Sequence, residues 1–368
     1  MENVTGQISV KEQLQNLINS GKIPHALLFS GPSGVGKDCM ALVFAKQVNK
    51  KILPADKYEK IAKAISCFNE PYLKLIFPLP RGKNENEESS PLEKLSADEI
   101  QLINEEVRKK TENPYYKISI PKANNIKINS IREIKKFISL NYDDVAYRFI
   151  IITDADLMND TSQNALLKSL EEPPEGVVFI LTTSNVVRLR ETILSRCWRI
   201  NFPPLSNEEV AEVLVSRFNE DKNYAKSVSA FSNGSVTEAL ELIEHDFKQL
   251  LEKTILFLRY SLGKKYHSAL KEINAINDIA GVHSLKLVIK LIIYWFNDFE
   301  KLRCSQKEDY YFTEYQETFK RFYNRYPKIQ TMQLINNLEN IAVLTDQNVN
   351  LNTIILNILF ELSGIIKA

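Results

Sequence analysis

The stretch "HALLFSGPSGVGKDCMALVFAKQV" (residues 25–48) runs from apolar residues through a glycine-rich loop to apolar residues at helical spacing. Its first part predicts a buried strand, and Met40, Ala41, Phe44, Ala45 and Val48 predict a helix. Between them, Gly31, Gly36 and Lys37 meet the pattern G-x-x-x-x-G-K, with Gly34 inside the loop. Such a loop lets backbone N–H groups wrap phosphate oxygens, while the following helix aims its positive end at the same point. Strand, loop and helix in this order form the context that a phosphate-binding loop requires. The pattern then fails at Asp38, where a Ser or Thr hydroxyl normally holds magnesium. A carboxylate can ligate magnesium, but there it also faces a triphosphate and repels it.

Further β-runs begin near Arg148 ("RFIIITDAD") and Gly176 ("GVVFILTTS"), separated by a helical stretch that Pro173 and Pro174 end. Alternating strands and helices predict an α/β fold with a parallel sheet covered on both faces. Residues 81–113 differ: they are charged, nearly free of aromatic residues, and carry a capping box at Ser96 and Glu99. They read as an inserted, solvated surface loop bearing one amphipathic helix. From about Ser206 the β-signals stop, and Ser206/Glu209 and Ser235/Glu238 open further helices. The expected layout is an α/β domain over 1–204 with the insert at about 81–113, a small helical lid over 205–247, and an all-α domain over 248–368.

A hydrophobic share of 44% and a charged share of 25% are ordinary for a soluble globular chain. A formal net charge of +1 gives no general attraction to nucleic acid or membrane. The four cysteines (Cys39, Cys67, Cys197, Cys304) form no C-x-x-C pair, which fits a reducing cytoplasm and excludes a disulfide framework. The first residues lack the basic-then-apolar pattern of a signal peptide. The late apolar runs "LKLVIKLIIYWF" and "LNTIILNILF" are short and carry Lys or Asn, so they read as buried helices. The expectation is a cytoplasmic chain with no membrane contact.

Two longer blocks, "GQISVKEQLQNLINSGKIPHALLFSGPSGVGK" (6–37) and "NALLKSLEEPPEGVVFILTTSNVVRLRETILSRC" (164–197), closely resemble the bacterial clamp-loader subunits of DNA polymerase III, within the AAA+ ATPases. The resemblance covers most of residues 1–240. It implies an AAA+ P-loop NTPase domain, a helical lid and a C-terminal collar domain. It also implies a hetero-oligomeric loader, with gamma/tau and delta subunits as partners, that uses ATP to place a sliding clamp on primed DNA.

Against that family's pattern Asp38, Thr153 and Thr237 are three departures. Thr153 falls where active members carry the magnesium-binding aspartate, and Asp154 where they carry the glutamate that polarises water. Thr237 falls where the lid arginine touches the nucleotide. Thr183 keeps the hydroxyl of a polar sensor position. Arg196 in "SRC" matches the arginine finger that reaches a neighbouring subunit's nucleotide and stabilises transition-state charge. The resemblance therefore implies a degenerate site of its own at Gly31, Gly34, Gly36, Lys37, Asp38, Asp154 and Thr183. No autonomous ATPase is expected; ATP or ADP trapped in the site stays open as a possibility. Most family members carry a four-cysteine zinc module after the phosphate-loop helix. Here residues 50–80 retain only Cys67, so no zinc or other metal is expected. The alternative is an active gamma/tau-like ATPase with Asp38 and Asp154 jointly holding magnesium. A small phosphotransferase would have no use for the 164–197 block, and DNA binding in isolation would need clustered Lys and Arg.

Overall fold

The computed structural model describes residues 4–86, 89–139, 145–304, 310–326, 329–345 and 349–365, with backbone alone at 277–283 and 314. Residues 87–88 of the charged insert thus lie outside the described residues. The chain divides into two compact units, Met1–Glu238 and Ala239–Ala368.

The first unit begins with α1 (Ile8–Ser20), β1 (Ala26–Ser30), α2 (Lys37–Ile52), α3 (Ala55–Ser66) and β2 (Leu73–Ile76). The insert follows with α4 (Ala97–Glu112), then α5 (Ile128–Ser139), β3 (Arg148–Ile152), α6 (Asp160–Glu171) and β4 (Val177–Thr183). After α7 (Glu191–Leu194) and β5 (Trp198–Asn201) come α8 (Asn207–Phe218), α9 (Lys222–Ser229) and the start of α10 (Val236–Glu244). Among the described residues the strands form one sheet in the order β2-β3-β4-β1-β5, and every pairing is parallel. This is the parallel α/β architecture expected from the alternating runs.

Period-2 alternation sends β3 side chains to two separate cores. Ile150 and Ile152 pack with Phe179 of β4, Ile134 of α5 and Leu166 of α6. Phe149 points the other way and meets Phe44 of α2 edge-on, with ring centroids 6.4 Å apart. Both faces of the sheet are therefore covered, which is why β3 and β4 are buried at every residue. The loops after β1, β3 and β4 leave the sheet from its carboxyl edge, the place where open α/β sheets hold ligands.

The insert is not the solvated excursion expected from its charge. Ile103 packs with Phe77, Leu79, Leu95 and Ile120 in a core of its own, with Ile100 and Val107 against it. The capping box at Ser96 and Glu99 is formed in both directions and starts α4. Enough apolar residues recur at helical spacing to outweigh the charged ones between them.

The second unit holds α11 (Phe247–Leu262), α12 (Tyr266–Arg303), α13 (Gln316–Arg325), α14 (Thr331–Leu344) and α15 (Leu351–Gly364). The two late apolar runs are buried in α12 and α15, through Leu285, Val288 and Ile292 and through Ile354, Ile358 and Leu359. Trp295 of α12 packs on Phe312 and on Phe319 of α13. Beside it the buried Asp298 accepts a hydrogen bond from the Phe312 N–H at 2.7 Å. No helix among the described residues is long and apolar enough to cross a membrane.

A candidate nucleotide site and a candidate arginine finger

The phosphate-type loop runs from the end of β1 into α2. Gly34 (φ +75°) and Gly36 (φ +93°) take left-handed backbone that side-chain-bearing residues rarely adopt. A Cβ on Gly34 would strike the Ser235 hydroxyl and Thr237, and one on Gly36 would meet the Tyr115 ring at 3.2 Å. The glycines thus admit two neighbours closely: the start of α10 and a segment that follows the insert helix. The Val236 N–H donates to the Gly34 carbonyl at 2.9 Å, fastening α10 to the loop.

Lys37 does not extend from the loop. Its ammonium donates to the carbonyls of Gly31 (2.7 Å) and Pro32 (2.5 Å). Burial lowers its pKa to about 8, against the pull of Asp38 and Asp154. Asp38 is fully engaged as well. One carboxylate oxygen accepts from Lys110 at 2.6 Å and the other from the Thr182 hydroxyl at 2.9 Å. Burial pushes the Asp38 carboxyl up, but the Lys110 ammonium and these hydrogen bonds outweigh it and hold the group below the usual carboxylate range.

At the end of β3, the Thr153 hydroxyl donates back to the Ile76 carbonyl at 3.3 Å. Asp154 is left-handed (φ 49°), and the Lys117 ammonium stands 3.7 Å from its carboxylate. Burial raises its pKa, with Lys117 opposing. Thr183 donates to Asp156 at 2.6 Å, so its hydroxyl is held by the second aspartate of "TDAD". Thr237 donates to the Tyr115 carbonyl at 2.7 Å.

The loop glycines Gly34 and Gly36, Lys37, Asp38, Asp154 and Thr237 therefore line one pocket, whereas Gly31 and Thr183 are not among its lining residues. The cavity left there is about 50 Å³, far below the roughly 300–1,000 Å³ of small-molecule sites. Arg196 is elsewhere. It follows α7, donates to Glu171 at 2.8 Å and to the Thr192 carbonyl at 2.9 Å, and its side chain is about a third exposed. Among the described residues, no three His, Cys, Asp or Glu side chains are grouped as metal ligands.

Sequence reasoning did not find Lys110, Tyr115 or Lys117, which line this pocket. The available signal was that Glu106 and Lys110 share the apolar stripe of α4 with Ile103. Charged residues on the buried face of a helix need partners, and here those partners are distant in sequence.

Comparison with known proteins identifies the family. The family described as DNA polymerase III, delta subunit, matches residues 6–206. The chain is 28% identical over 252 residues to DNA polymerase III subunit tau of Bacillus subtilis, covering 66% of this chain and 37% of that protein. It is 29% identical over 254 residues to subunit gamma of Buchnera aphidicola, covering 66% and 57% respectively. The chain thus spans under two thirds of the length of these relatives. A Thermotoga maritima DNA polymerase III gamma subunit-related protein aligns over 96% of this chain and 99% of its own, at 16% identity and TM-score 0.46. With more than half of its length matched, the chain belongs to the DNA polymerase III delta-subunit family of clamp-loader AAA+ proteins.

Proposed function

We propose that this chain is a delta prime-like subunit of the bacterial, cytoplasmic clamp loader. It assembles with gamma/tau and delta subunits, helps place the sliding clamp on primed DNA, and supplies Arg196 to a neighbouring subunit's nucleotide site. In this reading residues 1–204, 205–247 and 248–368 act as nucleotide-type domain, lid and collar. One observation carries it: the Lys37 and Asp38 side chains, which would meet phosphate and magnesium here, are engaged within the chain, whereas Arg196 lies away from that pocket and partly exposed.

The chemistry divides accordingly. A guanidinium supplies fixed positive charge to a phosphoryl group in flight and needs no proton transfer. Arg196 is held by Glu171 on the surface, and such an exposed pair is worth about 0–1 kcal/mol. Exchanging Glu171 for a neighbour's phosphate therefore costs little. Residues 31–38, by contrast, keep the shape of a phosphate loop while Asp38 contributes negative charge to it.

The relatives are gamma and tau subunits by name, which favours a second reading, an active ATPase. Titrating magnesium-ATP into the purified chain separates the two. The delta prime-like reading expects no heat of binding up to millimolar nucleotide and no phosphate release. Micromolar binding with turnover would establish the active reading instead.

A further inference from the structure

We propose that residues 110–117 are a built-in occupant of the nucleotide site: Lys110 and Lys117 neutralise the two aspartates, and Tyr115 covers the loop. This rests on the reading of the site as inactive and supplies its physical cause.

The segment is rigidly presented. Its helix, α4, is fixed by the capping box and by the core around Ile103. Glu106 accepts from the Tyr116 hydroxyl at 2.8 Å and from the Ser119 N–H at 2.9 Å, tying the returning chain onto α4. Lys110 donates at once to the Tyr116 carbonyl and to Asp38, both at 2.6 Å, so one ammonium joins insert and loop. A solvated excursion would leave such side chains in water. Instead Lys110 is 3% exposed and Tyr115 4% exposed.

The contacts fall where a magnesium–nucleotide would need room. Lys110 meets Asp38, the residue at the hydroxyl position of the loop motif. Lys117 faces Asp154, the acid at the end of β3. The buried Lys110 and the half-exposed Lys117 thus do for these partly buried carboxylates what a divalent cation does elsewhere, which is to offset their negative charge. The Tyr115 ring lies against Gly36, its carbonyl accepts from Thr237, and the Arg217 guanidinium stands 5.8 Å from the ring centroid. With about 50 Å³ left over, the residues present do not fit a magnesium-bound triphosphate. The insert read from sequence as a mere excursion is in this account the reason.

Amine labelling tests the proposal without nucleotide. The purified full chain is treated with acetic anhydride near pH 8, and acetylation of Lys37 is followed by peptide mass spectrometry. Lys37 of the unaltered chain is expected to label slowly. Tyr115→Gly is expected to raise its rate by about tenfold or more, because local opening then exposes the loop. Should that variant fail to fold, Thr237→Val, which removes only the hydroxyl holding the Tyr115 carbonyl, carries the test in the same direction. Equal Lys37 rates in the unaltered chain and a folded variant would overturn the proposal. Rapid magnesium-ATP hydrolysis by the unaltered chain is a separate outcome: it would refute the inactive-site reading, while labelling still decides whether the segment covers the nucleotide-free loop.

Discussion

Asp38 shows how one residue changes the character of a phosphate loop. Its carboxylate, paired with Lys110 and bonded to Thr182, is a partly buried charge whose partner comes from 72 residues away. Breaking a fully buried pair on one side costs about 3–5 kcal/mol, and with the Asp38 side chain a quarter exposed the loss here is about 1–3 kcal/mol. Lys110→Met is expected to lose stability of this order, read from the denaturant midpoint, whereas Asp38→Asn with Lys110→Met is expected to recover most of it. A sum of two independent losses in the double variant would contradict the pairing. The pH sign follows from the lowered folded pKa of Asp38. Its stabilisation is complete above its usual value of 3.8 and disappears as pH falls through the lower folded value. The double variant should therefore lose less stability on acidification than the unaltered chain.

At the scale of elements, the sequence was most legible where a segment carries its own signals. The loop between β1 and α2 follows from its glycines and from the apolar spacing after them. The Ser96/Glu99 and Ser206/Glu209 capping boxes both form as their spacing requires. Ser96→Ala is expected to cost about 0.5–2 kcal/mol and to increase hydrogen exchange through α4; unchanged exchange there would contradict the role given to the cap. The edge strands β2 and β5 were not legible, since each has four residues and is defined by pairing with a distant strand. Neither α3 nor α5 was assigned, although both are amphipathic. The pocket-lining segment was hidden for a related reason. Lys110 reads as one more solvated charge of the insert, and Lys117 carries no signal, until the fold sets them against Asp38 and Asp154. Arg196 could be singled out because "SRC" is a compact motif, and its contacts with Glu171 and Thr192 could not.

Considered as a whole molecule, the chain carries its family likeness in the first unit, which contains all of residues 6–206. The second unit has a well-packed interior, yet α14 and α15 leave large apolar side chains outside it. Met332 is 62% exposed, Val343 55%, Leu356 40% and Phe360 60%. Under the proposed collar role these residues meet partner subunits. Phe360→Asp is accordingly expected to weaken assembly with gamma/tau and delta subunits by tenfold or more, about 1.4 kcal/mol, in size-exclusion or mass-photometry titrations. Its melting temperature should stay close to that of the unaltered chain, since surface substitutions usually change stability by about 0.5 kcal/mol or less. Full assembly by the variant would remove this face from the interface. In the proposed subunit a phosphate loop is closed by residues 110–117 of its own chain, and Arg196 is offered to another subunit. The most direct test is the DNA-stimulated ATPase of the reconstituted loader, measured with Arg196→Ala and with Lys37→Ala in this subunit. The expected result is a fall of roughly tenfold or more for Arg196→Ala, as for removal of a finger in trans, and little change for Lys37→Ala. A large fall for Lys37→Ala with none for Arg196→Ala would contradict the account.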